Sequence, residues 1–392
     1  MRGTDQLPLS GLRVVALEQA VAAPFCSRQL ADMGADVIKV ERPNGGDSAR
    51  SFDSTIRGQS AYFVWLNRGK RSVALDLSTE PARHVFAQLL ARADIFVHNL
   101  APGGVERLGF GYDALAHKHP RLIWCGISGY GPDGPHRDSK AYDMLVQAES
   151  GVVSLTGWPN APAKVGISIA DISAGLYAYS SILTALIQRS QTGVGERIDI
   201  SMLECLTEWV SPPLYVWHGT GTVPARVGVR HNMIVPYGAY ACSDGAVMFA
   251  IQNAAEWRRF CDVVMRQPGL SDDERFNTNP NRLTNREALE TLIENRFRSY
   301  TRAQVSEWLT AADIATGNVN DVPAVAEHPQ LAARGRWKTV ASPGGEIPAL
   351  VPPHNLGGVT PRMGAVPALG EHTSEVLVEL GITPPARPLP QP

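Results

Sequence analysis

Apolar residues along the chain fall into two alternating rhythms. Short, β-branched runs at Leu12–Leu17 (LRVVAL), Asp36–Glu41 (DVIKVE), Ser72–Leu77, Ile95–His98 and Leu122–Ile127 read as strands. Between them, Phe25–Met33, stopped by Gly34, and about Glu80–Ala91 carry apolar positions every three or four residues and read as helices. Strands and helices taking turns predict an α/β domain with a Rossmann-like, doubly wound parallel sheet. The stretch after the first strand, LEQAVAAP, has no GxGxxG pattern, which argues against a dinucleotide held in the usual way.

The pattern peaks at Gly166–Arg189, where Leu176, Tyr179, Leu183 and Leu186 mark one helical face after a single carboxylate, Asp171. TGVG at 192–195 is a turn, Glu196–Ser201 a further strand and Met202–Trp209 a further helix. Residues 211–233, rich in Pro and Gly, read as a linker. Texture then changes: PYGAYACSDGAVMFAI predicts a hairpin turning at Ser243-Asp244-Gly245, and helices follow, one opening with Thr301 and Gln304 at capping-box spacing and another preceded by Asn285 as its N-cap. The expected organisation is a large domain over 1–210, a smaller inserted α+β domain over 234–325, and a C-terminal segment, 326–392, of which 330–392 completes the large domain. Its Pro/Gly-rich part from Ser342 to Leu369 is expected to be an extended strap, and the tail PPARPLPQP to be frayed.

A length of 392 residues supports two domains. A formal net charge of −2 gives no reason to expect a nucleic-acid partner. No N-terminal apolar segment resembles a signal peptide, and no run reads as long enough to span a membrane, so a cytoplasmic protein without a membrane partner is expected. Cys26, Cys125, Cys205, Cys242 and Cys261 stand singly, without metal-ligand or disulfide spacing, so no metal is expected. Six of the 36 basic residues are Lys, an Arg bias that suits phosphate or carboxylate recognition and equally follows from genome base composition.

Asp171 has two readings from spacing. An Asp at a helix start accepts an otherwise unpaired backbone N–H as an N-cap. With Ser173, Ala174 and Gly175 beside it, the same carboxylate also has room to act as a nucleophile on an acyl group.

Many phrases, in order from about residue 8 to 381, resemble the class III CoA-transferases, the formyl-CoA transferase-like family. They are LSGLRVVALEQAVAAPFCSRQLADMGADVIKVERP, LNRGKRSVALDL, ADIFVHNLAPGGVERLGFGYDAL, SKAYDMLVQAESG, ADISAG, TGVGERIDISMLE, VPYGAYACSDG, EWRRFC, EHPQLAARGRW and PALGEHTSEVLVELG. The resemblance implies an interlocked homodimer of ring-like protomers and makes Asp171 the nucleophile, working through anhydride and aspartyl-CoA intermediates. It implies coenzyme A as a substrate and no permanently bound cofactor. By family position, Arg42, Lys70, Arg71, Asn99, Arg107, Lys140 and Tyr142 contact CoA, and the backbone at Val21 and Ala22 faces the thioester.

Departures bear on substrate. Val21 stands where formyl-CoA:oxalate transferases have Gln, and their tetraglycine loop has no counterpart, Gln252 and Asn253 of IQNAAEW being the nearest polar residues. These departures point away from oxalate. The small-domain phrases look most like the branch handling succinyl-CoA and related dicarboxyl esters. Arg68, Arg226 and Arg230 are expectations for a second substrate carboxylate, and His231 for a substrate contact. An α-methylacyl-CoA racemase on the same fold is an alternative, but Ala141-Tyr142-Asp143 lacks the His such an enzyme uses as one of its two bases. A non-catalytic CoA-binding protein is the other alternative.

Overall fold

The structure is a computed structural model that describes residues 7–384; residues 385–392 of the expected frayed tail lie outside the described ones. Contacts divide the chain into two compact units, one of residues up to Gly151, Val165–Val210 and from Gln330 onward, the other of Val152–Lys164 and Ser211–Pro329.

The first unit is built on strands β1 (Arg13–Leu17), β2 (Asp36–Glu41), β3 (Arg71–Ala74), β4 (Ile95–His98), β5 (Ile123–Ser128) and β6 (Arg197–Ser201). All pair in parallel, in the order β3-β2-β1-β4-β5-β6, which is a doubly wound sheet. Strands covered on both faces must be apolar throughout. Val15, Ile38, Val73 and Phe96 accordingly belong to one buried cluster with Phe86 and Leu89 of the helix Glu80–Ala91. Helices that position the site are α1 (Ala22–Asp32), α2 (Asp143–Glu149), α3 (Ile169–Thr192) and α4 (Met202–Trp209). Helix α3 ends at Gly193, whose φ of 76° suits glycine and whose N–H reaches Arg189 O at 2.9 Å.

With 24 residues, α3 is long and apolar enough to cross a membrane by length and composition, which corrects the reading that no run is. Asp171 and Arg189 both lie inside it. Its small residues Ser173, Ala174, Gly175 and Ala178 are buried, and it packs on α1, α4 and β5.

The C-terminal residues fold onto the first unit. Trp337–Val340 pairs antiparallel with Ile347–Leu350, and the chain then runs extended, bonding from Arg362 N to Asp32 O and from Gly69 N to Ala365 O, each at 2.7 Å. Edge strand β3 is finished by the last described segment: His372 N donates to Ser72 O at 2.9 Å and Ala74 N to Thr373 Oγ1 at 3.0 Å.

The second unit has an antiparallel sheet of β7 (Tyr237–Cys242), β8 (Gly245–Ala250) and β9 (Thr316–Asn318), joined to helices through Tyr240, Phe249, Trp257, Phe260 and Phe297. The capping box at Thr301 and Gln304 forms as expected, whereas Asn285 turns its amide back to Arg275 O and Asn281 O instead of capping. The expected linker is corrected at Ser211–Thr220, which is helical. Its Pro212 and Pro213 fall in the first turn, where no backbone N–H is required.

Candidate active site

Asp171 is the third residue of α3, so the capping role read from its spacing belongs elsewhere. Asp143, the first residue of α2, supplies it: one carboxylate oxygen accepts Ala170 N–H at 2.8 Å and Asp171 N–H at 3.3 Å. Gln147, one turn along α2, ties Asp143 Oδ2 at 2.7 Å, Ile167 O at 3.2 Å and Val165 N at 2.9 Å. The segment leading into α3 is thereby fixed, and the Asp171 carboxylate is left with no hydrogen bond from the described residues.

That carboxylate is half-buried, and desolvation, reinforced by the negative charge of Asp143, pushes its pKa up to about 7. An ionised, unpaired carboxylate at a helix N-terminus is both basic and accessible, as a nucleophile must be. Any acylation of this carboxylate is therefore expected to speed up with pH through about 7 and to level off above it. Asp143→Asn removes a like charge, so the midpoint of that single-turnover profile moves to lower pH; an unmoved midpoint would mean that Asp143 only caps.

Gly175 lies one turn beyond Asp171 on the same face of α3. A Cβ there would stand 2.5 Å from Ala22 O and 3.0 Å from the Phe25 ring, so the start of α1 lies against this turn of α3. The turn before α1 is unusual: Ala20 has φ 60°, and Val21 and Ala22 are buried. Gly175→Ala illustrates the constraint. Alanine favours an isolated helix by about 1 kcal/mol, but forcing a methyl against backbone costs roughly 1–3 kcal/mol, so the thermal midpoint falls.

A cavity of about 310 Å³ opens at the carboxyl ends of β4 and β5, beside Arg197 and Asp199 of β6, and is lined by Leu100, Ala101, Pro102, Gly103 and Gly126 among others. Ligands of doubly wound sheets bind at such ends. His98, in its wall, has both ring nitrogens buried without partners, and burial lowers its pKa to about 3, so it is a neutral packing residue against Trp124.

The family model described as CoA-transferase family III matches residues 9–373. The chain belongs to CoA-transferase family III. It is 34% identical over 383 residues to the succinate–glutarate CoA-transferase of Agrobacterium fabrum, with 95% of this chain and 96% of that one covered. To the acetyl-CoA:oxalate CoA-transferase of Acetobacter aceti it is 36% identical over 329 residues, with 83% and 84% covered. A solved CAIB/BAIF family protein from Brucella suis matches with a TM-score of 0.83 at 35% identity, over 96% of this chain and all of that one. CoA-transferase activity and acyl-CoA and carboxylate substrates follow from this membership.

Residues matched to CoA contacts in family III separate into two groups. Arg42, Lys140 and Tyr142 are exposed, Tyr142 by 71%, and Arg107 is exposed with one contact to Pro102 O at 3.4 Å. The others make their bonds within the fold. Lys70 has a fully buried ammonium bonded to Glu18, Pro24 O and Asn67. Arg71 is held by Asp36, Glu375 and Glu379, tying β3 to the C-terminal helix Thr373–Glu379. Asn99 uses both ends of its amide on Gln19, accepting its N–H at 2.9 Å and donating to its O at 2.8 Å.

The side chains expected to meet a second substrate carboxylate are also bonded within the fold. Arg68 makes two bonds to Asp32, Arg230 pairs with Glu290 and Glu294, and Arg226 donates to the carbonyls of Ser154, Trp158 and Pro159. His231 stacks on Tyr237, and its Nδ1 accepts the N–H groups of Met233 and Ile234. In the second unit, Gln252 is exposed, and Asn253 caps the helix Ala254–Arg259 through Glu256. Asp143 caps the helix of Asp171, in keeping with its reading as a helix cap, whereas Asp47 beneath the Ala20 turn has no counterpart among the expected site residues. The one signal for Asp47 was Lys39, a charge inside an apolar strand that requires a buried counter-charge.

Proposed function

We propose that this CoA-transferase moves CoA from a dicarboxylic acyl-CoA, with succinyl-CoA as the type donor, to a dicarboxylate acceptor through Asp171. The observation that carries this reading is the half-buried Asp171 carboxylate, free of hydrogen bonds from the described residues and raised in basicity by burial. A carboxylate oxygen of Asp171 attacks the thioester carbonyl, the C–S bond breaks, and CoA leaves as thiolate with a mixed anhydride on Asp171. The thiolate then attacks the Asp171 carbonyl, expelling the donor acid and leaving an aspartyl-CoA thioester. The acceptor carboxylate attacks that thioester to give a second anhydride and free thiolate. Attack of the thiolate on the acceptor's carbonyl gives the new acyl-CoA and frees Asp171. No net proton or electron is exchanged, and the thioester's energy is retained in covalent form.

In this scheme the exposed Arg42 and Arg107 meet CoA's phosphates, with Lys140 and Tyr142 beside its arm, and the Val21–Ala22 backbone faces the thioester. Support for dicarboxylates comes from the relatives, whose names specify glutarate and oxalate. A homodimer is part of the proposal, in keeping with the exposed Tyr215 and Trp217 of the helix Ser211–Thr220.

Mass spectrometry after hydroxylamine or borohydride trapping, across acyl-CoAs including oxalyl-, succinyl- and glutaryl-CoA, tests the reading. An adduct on Asp171 that appears with dicarboxylic esters is the expected result. No adduct with any thioester, together with loss of stereochemistry at a 2-methylacyl-CoA, would transfer the chain to racemase chemistry.

A further inference from the structure

Beneath the turn at Gln19–Val21 lies a group of charges that the transfer chemistry does not use. The side chains of Glu18, Lys39, Asp47 and Lys70 are fully buried, two carboxylates against two ammonium groups. Glu18 accepts from Lys70 at 2.6 Å, from Lys39 at 3.3 Å and from the Ser27 hydroxyl at 2.6 Å. Lys39 donates its strongest bond, 2.7 Å, to Asp47 Oδ2. The other oxygen of Asp47 accepts the backbone N–H groups of Ala20 and Ala49, each at 2.9 Å. On the neighbouring residue Asn99 clamps Gln19 at both N–H and carbonyl. Ala20, between these clamps, has φ 60°, a left-handed conformation that residues with a Cβ disfavour. A buried ion cluster seldom outperforms apolar packing in stability alone, and this one ends on a single strained turn leading into Ala22, whose carbonyl lies against Gly175, one turn along α3 from Asp171.

We propose that Asp47 is a positioning residue for CoA transfer. Its carboxylate, fixed by Lys39, holds Ala20 in the left-handed turn and so sets the Val21–Ala22 backbone against Asp171. This rests on the reading of Asp171 as the nucleophile. Asp47 itself touches no reacting atom; what it supplies is one acceptor for the Ala20 N–H. A carboxamide can supply that acceptor too, provided its NH2 end does not face an ammonium group.

Two double variants separate the acceptor from the charge. Asp47→Asn with Lys39→Met keeps an oxygen on the turn; Asp47→Leu with Lys39→Met removes it; both leave Glu18 paired with Lys70. Rapid-quench measurement of the Asp171 adduct, steady-state kcat and KM, and thermal midpoints are compared with the wild type. The Asn pair is expected to hold kcat within about threefold of wild type, and the Leu pair to lose ~10–100-fold in kcat and adduct rate, the scale on which small misplacements act. The acyl-CoA KM of the two pairs should be alike, and the midpoint of the Leu pair lower, because the N–H groups of Ala20 and Ala49 lose their acceptor. Equal rates in the two pairs, fast or slow, would overturn the proposal. If the Leu pair does not fold, a folded Asn pair at wild-type rate supports the proposal, and a folded but slow one overturns it. Failure of the underlying reading looks different, because the wild type would then form no adduct at Asp171.

Discussion

Alanine at position 171 abolishes CoA transfer while leaving the fold intact. The expected loss in kcat is roughly 10⁴-fold or more, the scale seen when a catalytic carboxylate or nucleophile is removed. Stability should move the other way at alkaline pH. The folded pKa of Asp171, about 7, lies above its ordinary value of 3.8, so its contribution to stability is fully present below pH 3.8 and is lost as pH rises through 7. At pH 8 the ionised carboxylate, crowded by Asp143, opposes folding, and Asp171→Ala relieves it. Thermal melts at pH 6 and pH 8 beside an activity assay check both halves. A variant that keeps transferring CoA, or that unfolds at both pH values, would show Asp171 to be a structural group.

Lys70→Met separates a buried cation from a ligand-binding one. Breaking a buried pair by removing one partner costs roughly 3–5 kcal/mol, because the remaining charge stays desolvated. Here Glu18 would retain Lys39 at 3.3 Å in place of the 2.6 Å bond to Lys70. Burial pulls the Lys70 ammonium down to about 8 against the attraction of Glu18. Lys39 is raised, the attraction of Glu18 and Asp47 overcoming its burial, while Glu18, lowered against its burial chiefly by Lys70, loses that attraction when Lys70 is removed. Denaturant unfolding should show the stability loss, with the acyl-CoA KM of the folded enzyme changed by no more than about twofold. Arg107→Ala should do the reverse, with a raised KM and stability within about 0.5 kcal/mol, as for surface substitutions generally. A raised KM in Lys70→Met without loss of stability would return Lys70 to the CoA site.

Local pattern carried the doubly wound sheet, the hairpin at 243–245 and the capping box at Thr301, because each is decided by residues near one another in the chain. The same reasoning stopped where partners are distant. Lys70-Arg71 looks like a solvated pair before a strand, yet Lys70 finds Glu18 from 52 residues away and Arg71 finds Glu379 from 308 away. Asp171 sits near a helix start and so looks like its cap, but the capping oxygen comes from residue 143. Pro212-Pro213 resembles a break because proline ends helices more often than it begins them, and here it begins one. Asp171 itself stands out in sequence through its small neighbours and its motif. The charges that hold the turn beside it were visible only as one lysine in an apolar strand.

The closure of β3 by the C-terminal segment sets an order on biosynthesis. Ala74 must wait for Thr373, 299 residues later, before its N–H meets that partner. At ~5–20 residues per second on the ribosome, that interval is roughly 15–60 s. Throughout it the emerging sheet carries an open edge, the kind of surface on which chains associate with one another, whereas the second unit is complete once residue 329 has emerged. The inserted unit can thus finish folding before its host, and a chaperone that shields nascent edges would be needed most while residues 211–372 are being made.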